Sequence, residues 1–187
     1  MIASHEPAVW SPERIEGHPP RLGSTRLIAV DGPSGAGKST FAEALAEHTN
    51  AQLIRTDHFA TWDDPTTKWW PRLIEVLDRI ARNTPAAYRK TDWSHGFPRP
   101  EQGEWVHVAP KPVIILEGFS AARKANHRAS LTIFVDHGDE AARLERAVRR
   151  DGEQNRANFQ RWQAFERGWF AVDETKARAD YVVVTAS

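Results

Sequence analysis

Nine consecutive residues near the start of the chain combine glycines with a lysine and three hydroxyl side chains. They are Gly32, Pro33, Ser34, Gly35, Ala36, Gly37, Lys38, Ser39 and Thr40. The spacing of the glycines and the closing Gly-Lys-Ser fit the phosphate-loop pattern, in which backbone N–H groups turn inward around phosphate oxygens at the start of a helix. Lys38 can then reach the β- and γ-phosphates, and the Ser39 hydroxyl can ligate Mg²⁺. The nine residues predict a nucleotide site with ATP and Mg²⁺ as cofactors.

The residues on either side support this interpretation. An apolar run predicts a strand over residues 27 to 31, and Phe41 with Leu45 marks one face of a helix over about 38 to 49. A phosphate loop lies between such a strand and such a helix. The alternative is a glycine-rich turn that matches the pattern by accident, and the flanking elements argue against it.

Two acidic residues follow predicted strands and have the chemistry that phosphoryl transfer needs. Residues 52 to 56 predict the second strand, after which Asp57 is placed to act as a general base toward a hydroxyl. Glu117 follows the continuous apolar run 113 to 116 and can hold Mg²⁺ through water, beside Ser39. The alternatives are a turn or cap aspartate for Asp57 and a loop-anchoring glutamate for Glu117.

A helix predicted from about 139 to 151 carries three arginines on one face. Arg143, Arg146 and Arg150 stand at relative positions 0, 3 and 7. We expect a lid over about 143 to 160, in which Arg146 and Arg150 act in catalysis and Arg143 binds the nucleotide, because closure would exclude water from the phosphates. The alternative is a charged helix face that is simply solvated.

The composition limits the class of protein. The chain has 187 residues, no cysteine, and 25 basic against 25 acidic side chains, so its net charge is zero. Zero net charge argues against a nucleic-acid partner or an anionic membrane surface, and any basic site must be local. Without a signal peptide core or an apolar run of about 20 residues, the expected location is the cytoplasm.

Strands and helices alternate along the chain, which predicts an α/β fold. The specific expectation is a P-loop NTPase three-layer α/β/α sandwich with a mostly parallel five-stranded sheet and a helical lid. Further strands are expected at 131 to 135 and 181 to 184, and further helices at about 73 to 83 and 156 to 172. Ligands of such sheets bind at the carboxyl ends of the strands, where Asp31, Asp57, Glu117 and Asp136 fall.

The domain organisation follows from the proline and aromatic content. Residues 1 to 25 are predicted to form an N-terminal arm, and residues 26 to 187 one P-loop domain. An acceptor-side insert is expected from about 60 to 112, and within it residues 84 to 112 are rich in proline and aromatic residues and show no clear period. A stripe in the last long helix is attributed mainly to core packing; its members are Phe159, Trp162, Phe165 and Trp169.

With these motifs in place, the chain resembles the uridine kinase-like branch of the P-loop nucleoside and metabolite kinases. The resemblance rests on the phosphate loop and on Asp57 in the segment 56 to 59. It also rests on the segments 113 to 118, 134 to 136, 149 to 153 and 179 to 182, and it covers about residues 26 to 185. It implies that Asp57 activates the hydroxyl of the acceptor and that the arginines form the lid.

The resemblance also points to an acceptor site in the insert. The matching strip contains Tyr88, Arg89, Asp92 and Trp93, with His95 nearby and Arg156 as a further candidate. Trp62 and Asp63 belong to the same proposed site, in which indole rings would stack on a nucleoside or small polyol and carboxylates would bind its hydroxyls. The alternative is an aromatic patch that folds the insert.

Two functions from different classes remain at this point. The first is an ATP-dependent, Mg²⁺-requiring kinase of a small-molecule hydroxyl, acting as a monomer or homodimer. The second is a nucleotide-dependent switch or accessory ATPase whose aromatic insert binds a protein partner. The lid and the acceptor strip favour the kinase, because neither has an evident use in a switch.

Overall fold

The computed structural model describes residues 10–61, 68–94 and 98–185. The strands in this part of the chain are β1 (Arg26–Asp31), β2 (Gln52–Arg55), β3 (Ala86–Arg89), β4 (Trp105–Val108), β5 (Val113–Glu117), β6 (Ala129–Asp136) and β7 (Tyr181–Val184). The α-helices are α1 (Lys38–Thr49), α2 (Trp70–Ala81), α3 (Glu140–Asp151), α4 (Arg156–Asp173) and α5 (Thr175–Arg178). Three short 3-10 helices cover Pro12–Gly17, Thr56–His58 and Glu153–Asn155.

Five strands form one parallel sheet in the order β2-β5-β1-β6-β7. Successive residues of β1 enter two different cores, because side chains alternate across a strand. Leu27 and Ala29 pack on the side of α2, whereas Ile28 and Val30 pack on the side of α1. Helices therefore cover both faces of the sheet, and the predicted α/β/α sandwich is confirmed.

The parallel arrangement brings the carboxyl ends of β1, β2 and β5 to one edge of the sheet. The register pairs Val30 with Glu117 and Arg55 with Glu117, so the residues that follow these strands are neighbours in space. The phosphate loop follows β1, the Thr56–His58 turn follows β2, and Glu117 closes β5. This edge is where the sequence places a ligand.

Gly32 leaves β1 with a backbone that only glycine adopts readily. Its φ is +141°, and a Cβ atom there would lie 2.1 Å from the carbonyl oxygen of Val135 in β6. The contact is with backbone on a central strand, which cannot move aside cheaply. A side chain at this position would push the phosphate loop away from the sheet.

We expect Gly32→Ala to lower the free energy of unfolding by about 2 kcal/mol or more, since it adds both strain and overlap. Urea denaturation followed by circular dichroism measures the effect. Gly168→Ala is the matched control: Gly168 is exposed in α4 with no atom within 4 Å of its Cβ position. There the same change should stabilise by about 0.5–1 kcal/mol through helix propensity. Equal stabilities for the two variants would contradict the close approach of Gly32 to Val135.

The insert contains an element that the sequence did not predict. β3 and β4 form a two-stranded antiparallel sheet, with Ala86 opposite Val108 and Arg89 opposite Trp105. In β3 only Ala86 and Tyr88 face the interior. Strands of four residues give two inward positions each, which is too short a pattern to stand out from its surroundings.

The described part of the predicted arm packs against the domain. The Trp10 ring lies 5.3 Å from that of Tyr181 and 6.1 Å from that of Phe41, measured between ring centroids. Ile15 and Leu22 are buried. In the described ranges, we find no helix with the length and apolar composition that crossing a bilayer would require.

Candidate nucleotide and acceptor site

The phosphate loop lines a cleft of about 640 Å³ at the carboxyl edge of the sheet. Its contributions are Ser34, Gly35, Gly37, Lys38, Ser39 and Thr40. Gly32, Pro33 and Ala36 complete the loop without lining the cleft. The Lys38 ammonium is largely buried and donates to the Pro33 carbonyl at 3.0 Å, so the loop holds it in place. The arrangement combines a helix N-terminus with a fixed cation, which suits an anionic ligand.

The two predicted magnesium ligands meet in this cleft. The Ser39 hydroxyl donates to Glu117 Oε1 at 3.1 Å, and Glu117 is only 5% exposed. Burial raises the pKa of the Glu117 carboxyl, and the charge of Asp57 adds to this rise, while Lys38 opposes it. A hydroxyl and a carboxylate side by side fit Mg²⁺, which takes one or two protein oxygens together with phosphate and water.

Asp57 lies where this cleft meets a second one of about 830 Å³. It is held by the Thr56–His58 turn and not by β2 itself, and its side chain is exposed to the cleft. Trp93 borders both clefts and donates its indole N–H to the Asp57 carbonyl oxygen at 3.1 Å. Asp57 thus stands between the phosphate loop and a cavity large enough for a small molecule.

The residues of the predicted acceptor strip separate in the structure. Arg89, Asp92 and Trp93 line the second cleft. Tyr88 is buried, with its ring centroid 4.5 Å from that of Phe59 and its hydroxyl 2.8 Å from His58 Nδ1. Tyr88 therefore supports the wall of the cleft from behind. The other predicted acceptor residues, Trp62, Asp63 and His95, lie outside the part of the chain that the structure describes.

Two groups of the second cleft have charges set by their surroundings. Burial, helped by the charges of Lys90 and Arg55, lowers the pKa of His58 to about 4, so its imidazole is neutral at pH 7. Asp92 accepts from the Ser94 amide and hydroxyl and pairs with Arg99, contacts that hold the pKa of its carboxyl well below the usual range. Asp92 is thereby part of a turn as well as of the cleft wall.

The lid arginines fall into two groups. Arg146 and Arg150 line the first cleft, with Arg146 Nη1 3.4 Å from the Gly35 carbonyl oxygen and Arg150 paired with Asp151. Arg143 is buried and donates to the His137 carbonyl oxygen, because the first turn of α3 lies directly on the loop. This corrects the expectation that all three arginines face the phosphates.

Arg156 is also placed differently from its prediction. Its guanidinium pairs with Glu145 and Glu153, which ties the start of α4 to α3. It is absent from the linings of both clefts among the described residues. The geometry gives it a structural role where α3 meets α4.

Sequence reasoning missed Glu166 and treated Trp162 mainly as core. Trp162, Trp169 and Phe165 surround Phe119, with ring centroids 5.1 to 5.8 Å apart, so the stripe does pack. Trp162 also lines the first cleft, and its indole N–H lies 2.9 Å from Ser34 Oγ and 2.7 Å from Glu166 Oε1. The four-residue spacing of Trp162 and Glu166 was visible, but nothing in the sequence marked the loop as their partner.

Asp31, the last residue of β1, has a structural role. Its carboxylate accepts from the backbone N–H groups of Gly32, Ser120 and Ala122 at 2.7 to 3.1 Å. Burial raises the pKa of Asp31 to about 7, against the effect of these amides and of Lys38. These bonds fasten the start of the phosphate loop to the segment that follows β5.

Comparison with known proteins places this geometry in a family. The profile of AAA_33, described as an AAA domain, matches residues 27–171. A cytidylate kinase from Mycoplasmopsis pulmonis (strain UAB CTIP) is 42% identical over 60 residues, or 30% of this chain and 27% of that protein. The chain thus matches about a quarter of the length of this curated relative.

Solved structures share the fold. A possible uridine kinase from Bacillus stearothermophilus superimposes with a TM-score of 0.57 at 13% identity, covering 85% of this chain and 88% of that one. D-glycerate 3-kinase from Cryptococcus neoformans var. grubii gives a TM-score of 0.54 at 12% identity, covering 76% and 78%. At these identities the likeness concerns the fold, and it confirms the predicted α/β architecture.

Proposed function

The chain belongs to the AAA domain family AAA_33, and from this premise we propose that it transfers the γ-phosphoryl group of ATP to a hydroxyl of a small molecule. The observation that carries the proposal is the position of Asp57. Its carboxylate lines the same cleft as Lys38 and Ser39 and also borders a second cavity. A base between a phosphate site and an acceptor-sized cavity is the arrangement that kinase chemistry needs.

Several residues of the first cleft have a part in this reaction. The loop amides hold the phosphates, and Lys38 with Arg146 and Arg150 neutralises charge that develops on the transferred group. Ser39 and Glu117 would hold Mg²⁺, which would offset the negative charge of the phosphates. Asp57 accepts the proton of the attacking hydroxyl.

The acceptor group is proposed to be an alcohol. The cytidylate kinase acts, by its name, on a nucleotide, whose acceptor oxygen belongs to a phosphate. Such an oxygen is already ionised near neutral pH and needs no base, and a carboxylate beside it would repel it. An alcohol must lose a proton, which gives Asp57 a use. Trp93 offers an exposed indole face, and Arg89 and Asp92 offer polar groups, for the rest of the acceptor.

Acceptor-dependent ADP formation tests the proposal. Nucleosides, sugars, polyols and vitamin-like alcohols are supplied with ATP and Mg²⁺, alongside nucleoside monophosphates as the competing class. We expect ADP release with at least one alcohol. ADP release that needs no acceptor and that rises with a protein recovered by nucleotide-dependent pull-down would support the switch instead.

The metal is tested by Glu117→Gln, which keeps the size of the side chain and removes its charge. We expect the Mg²⁺ concentration for half-maximal turnover to rise by about tenfold or more, because carboxylates are preferred ligands of this ion. Titration of Mg²⁺ at saturating ATP measures it. Glu47→Gln on the exposed face of α1 should leave the Mg²⁺ requirement unchanged. An unchanged requirement in Glu117→Gln would remove Glu117 from the metal site.

A further inference from the structure

Glu166 places a further carboxylate directly on the phosphate loop. It extends from the middle of α4, is 2% exposed, and accepts the Ser34 backbone N–H at 2.9 Å through Oε1 and 3.1 Å through Oε2. The Ser34 hydroxyl donates to Oε1 at 2.7 Å, and the Trp162 indole N–H donates to the same oxygen at 2.7 Å. The carboxylate therefore has three donors, two of which come from a loop residue.

These contacts are what a phosphate oxygen would make in the same place. A glycine-rich loop directs backbone N–H groups toward an anion, and Ser34 belongs to the part of the loop that lines the cleft. Burial raises the pKa of the Glu166 carboxyl, and Lys38 is the largest influence that lowers it. Glu166 thus accepts a hydrogen bond from the Ser34 amide and is stabilised by the charge of Lys38, and the nucleotide needs both groups.

We propose that Glu166 is an internal anion that competes with the nucleotide, so that a polyphosphate must displace it from Ser34 in order to bind fully. The inference rests on the proposed nucleotide site and adds to it a built-in competitor. Displacement also removes an acceptor from the Trp162 indole, which lines the cleft. Nucleotide binding is thereby coupled to the side of α4 that packs on Phe119.

Competition of this kind raises the apparent dissociation constant of the nucleotide, because only molecules in which Glu166 has left Ser34 can bind it fully. If the loop is open in about one molecule in ten, apparent affinity falls about tenfold. Removing the charge of Glu166 while keeping its shape should recover that factor. If Glu166 only supported the loop, removing its charge would instead weaken nucleotide binding, because the site would loosen.

Isothermal titration calorimetry of Glu166→Gln with Mg²⁺ and a non-hydrolysable ATP analogue tests the inference. We expect the dissociation constant to fall by about tenfold relative to the wild type. Glu174→Gln is the matched control: Glu174 is exposed just after α4 and pairs with Lys124, so the same loss of charge there should leave the constant unchanged. An unchanged or weaker affinity in Glu166→Gln overturns the competition.

A measurement on the wild-type protein tests the same inference if Glu166→Gln folds poorly. The proton resonance of the Trp162 indole N–H, assigned by its loss in Trp162→Phe, reports the hydrogen bond to Glu166. We expect it to move upfield when the ATP analogue and Mg²⁺ bind, because the carboxylate acceptor leaves. A resonance that keeps its position in the nucleotide-bound protein overturns the inference. If the wild type binds no ATP at all, the proposed function fails instead.

Discussion

Asp57→Asn is expected to lower acceptor-dependent kcat by about 10²–10⁴-fold, the range that a general base contributes. Asparagine has the size of aspartate but cannot take the proton of the attacking hydroxyl. The affinity for ATP and Mg²⁺ should change little, because the loop, Lys38 and Ser39 stay intact. Steady-state ADP release at saturating acceptor, together with calorimetry of the ATP analogue, separates the two effects.

The control for Asp57→Asn is Glu75→Gln. Glu75 is exposed on α2, away from both clefts, so the same loss of a carboxylate charge should leave kcat unchanged. Turnover in Asp57→Asn within about twofold of the wild type would rule out Asp57 as the base. The kinase proposal would then lose the observation on which it stands.

Lys38→Met is the second change with a large expected effect. Methionine retains an unbranched side chain at this largely buried position but has no ammonium, so the γ-phosphate loses a fixed cation. Removing one preorganised donor of this kind lowers kcat by about 10²–10³-fold. We also expect weaker ATP binding, because Lys38 contributes to the ground state as well as to the transition state. The readouts are kcat and the thermal shift that ATP and Mg²⁺ produce.

Lys111→Met is the matched control for Lys38→Met. Lys111 bonds the carbonyl and side-chain oxygens of Asn50, near the amino end of β5 and therefore at the opposite edge of the sheet from the cleft. Its replacement should leave kcat and the ATP-dependent thermal shift as they are. A full thermal shift in Lys38→Met would show that the loop does not use its lysine to hold the phosphates.

Much of the fold could be predicted because its signals are local. The glycine pattern identified the loop, the apolar runs identified β1, β5 and β6, and the alternation of strands with helices identified a parallel sheet. In such a sheet the carboxyl ends of strands share one edge. That geometry is why Ser39 and Glu117 were expected together although 78 positions separate them in the sequence. In the structure, Ser39 Oγ lies 3.1 Å from Glu117 Oε1.

Other parts of the site were decided by contacts that no periodicity encodes. Arg143 and Arg146 belong to the same charged helix face, yet the close approach of α3 to Gly35 buries one and leaves the other in the cleft. Tyr88 lies in an insert without a clear pattern, and the short β3–β4 pair turns its ring into the core. These outcomes depend on how neighbouring elements pack.

By itself the sequence determined the chemistry at the centre of this protein, a phosphate loop with a lysine, a hydroxyl and acidic residues at the strand ends. Only the tertiary structure decided which side chains reach the cleft and that Glu166 rests on the loop from α4. The physical reason is that sequence patterns carry local information, whereas contacts between distant residues depend on tertiary packing. Residue type and spacing specify backbone conformation and the buried face of one element, whereas the partner of a side chain 132 positions away is set by the packing of whole elements.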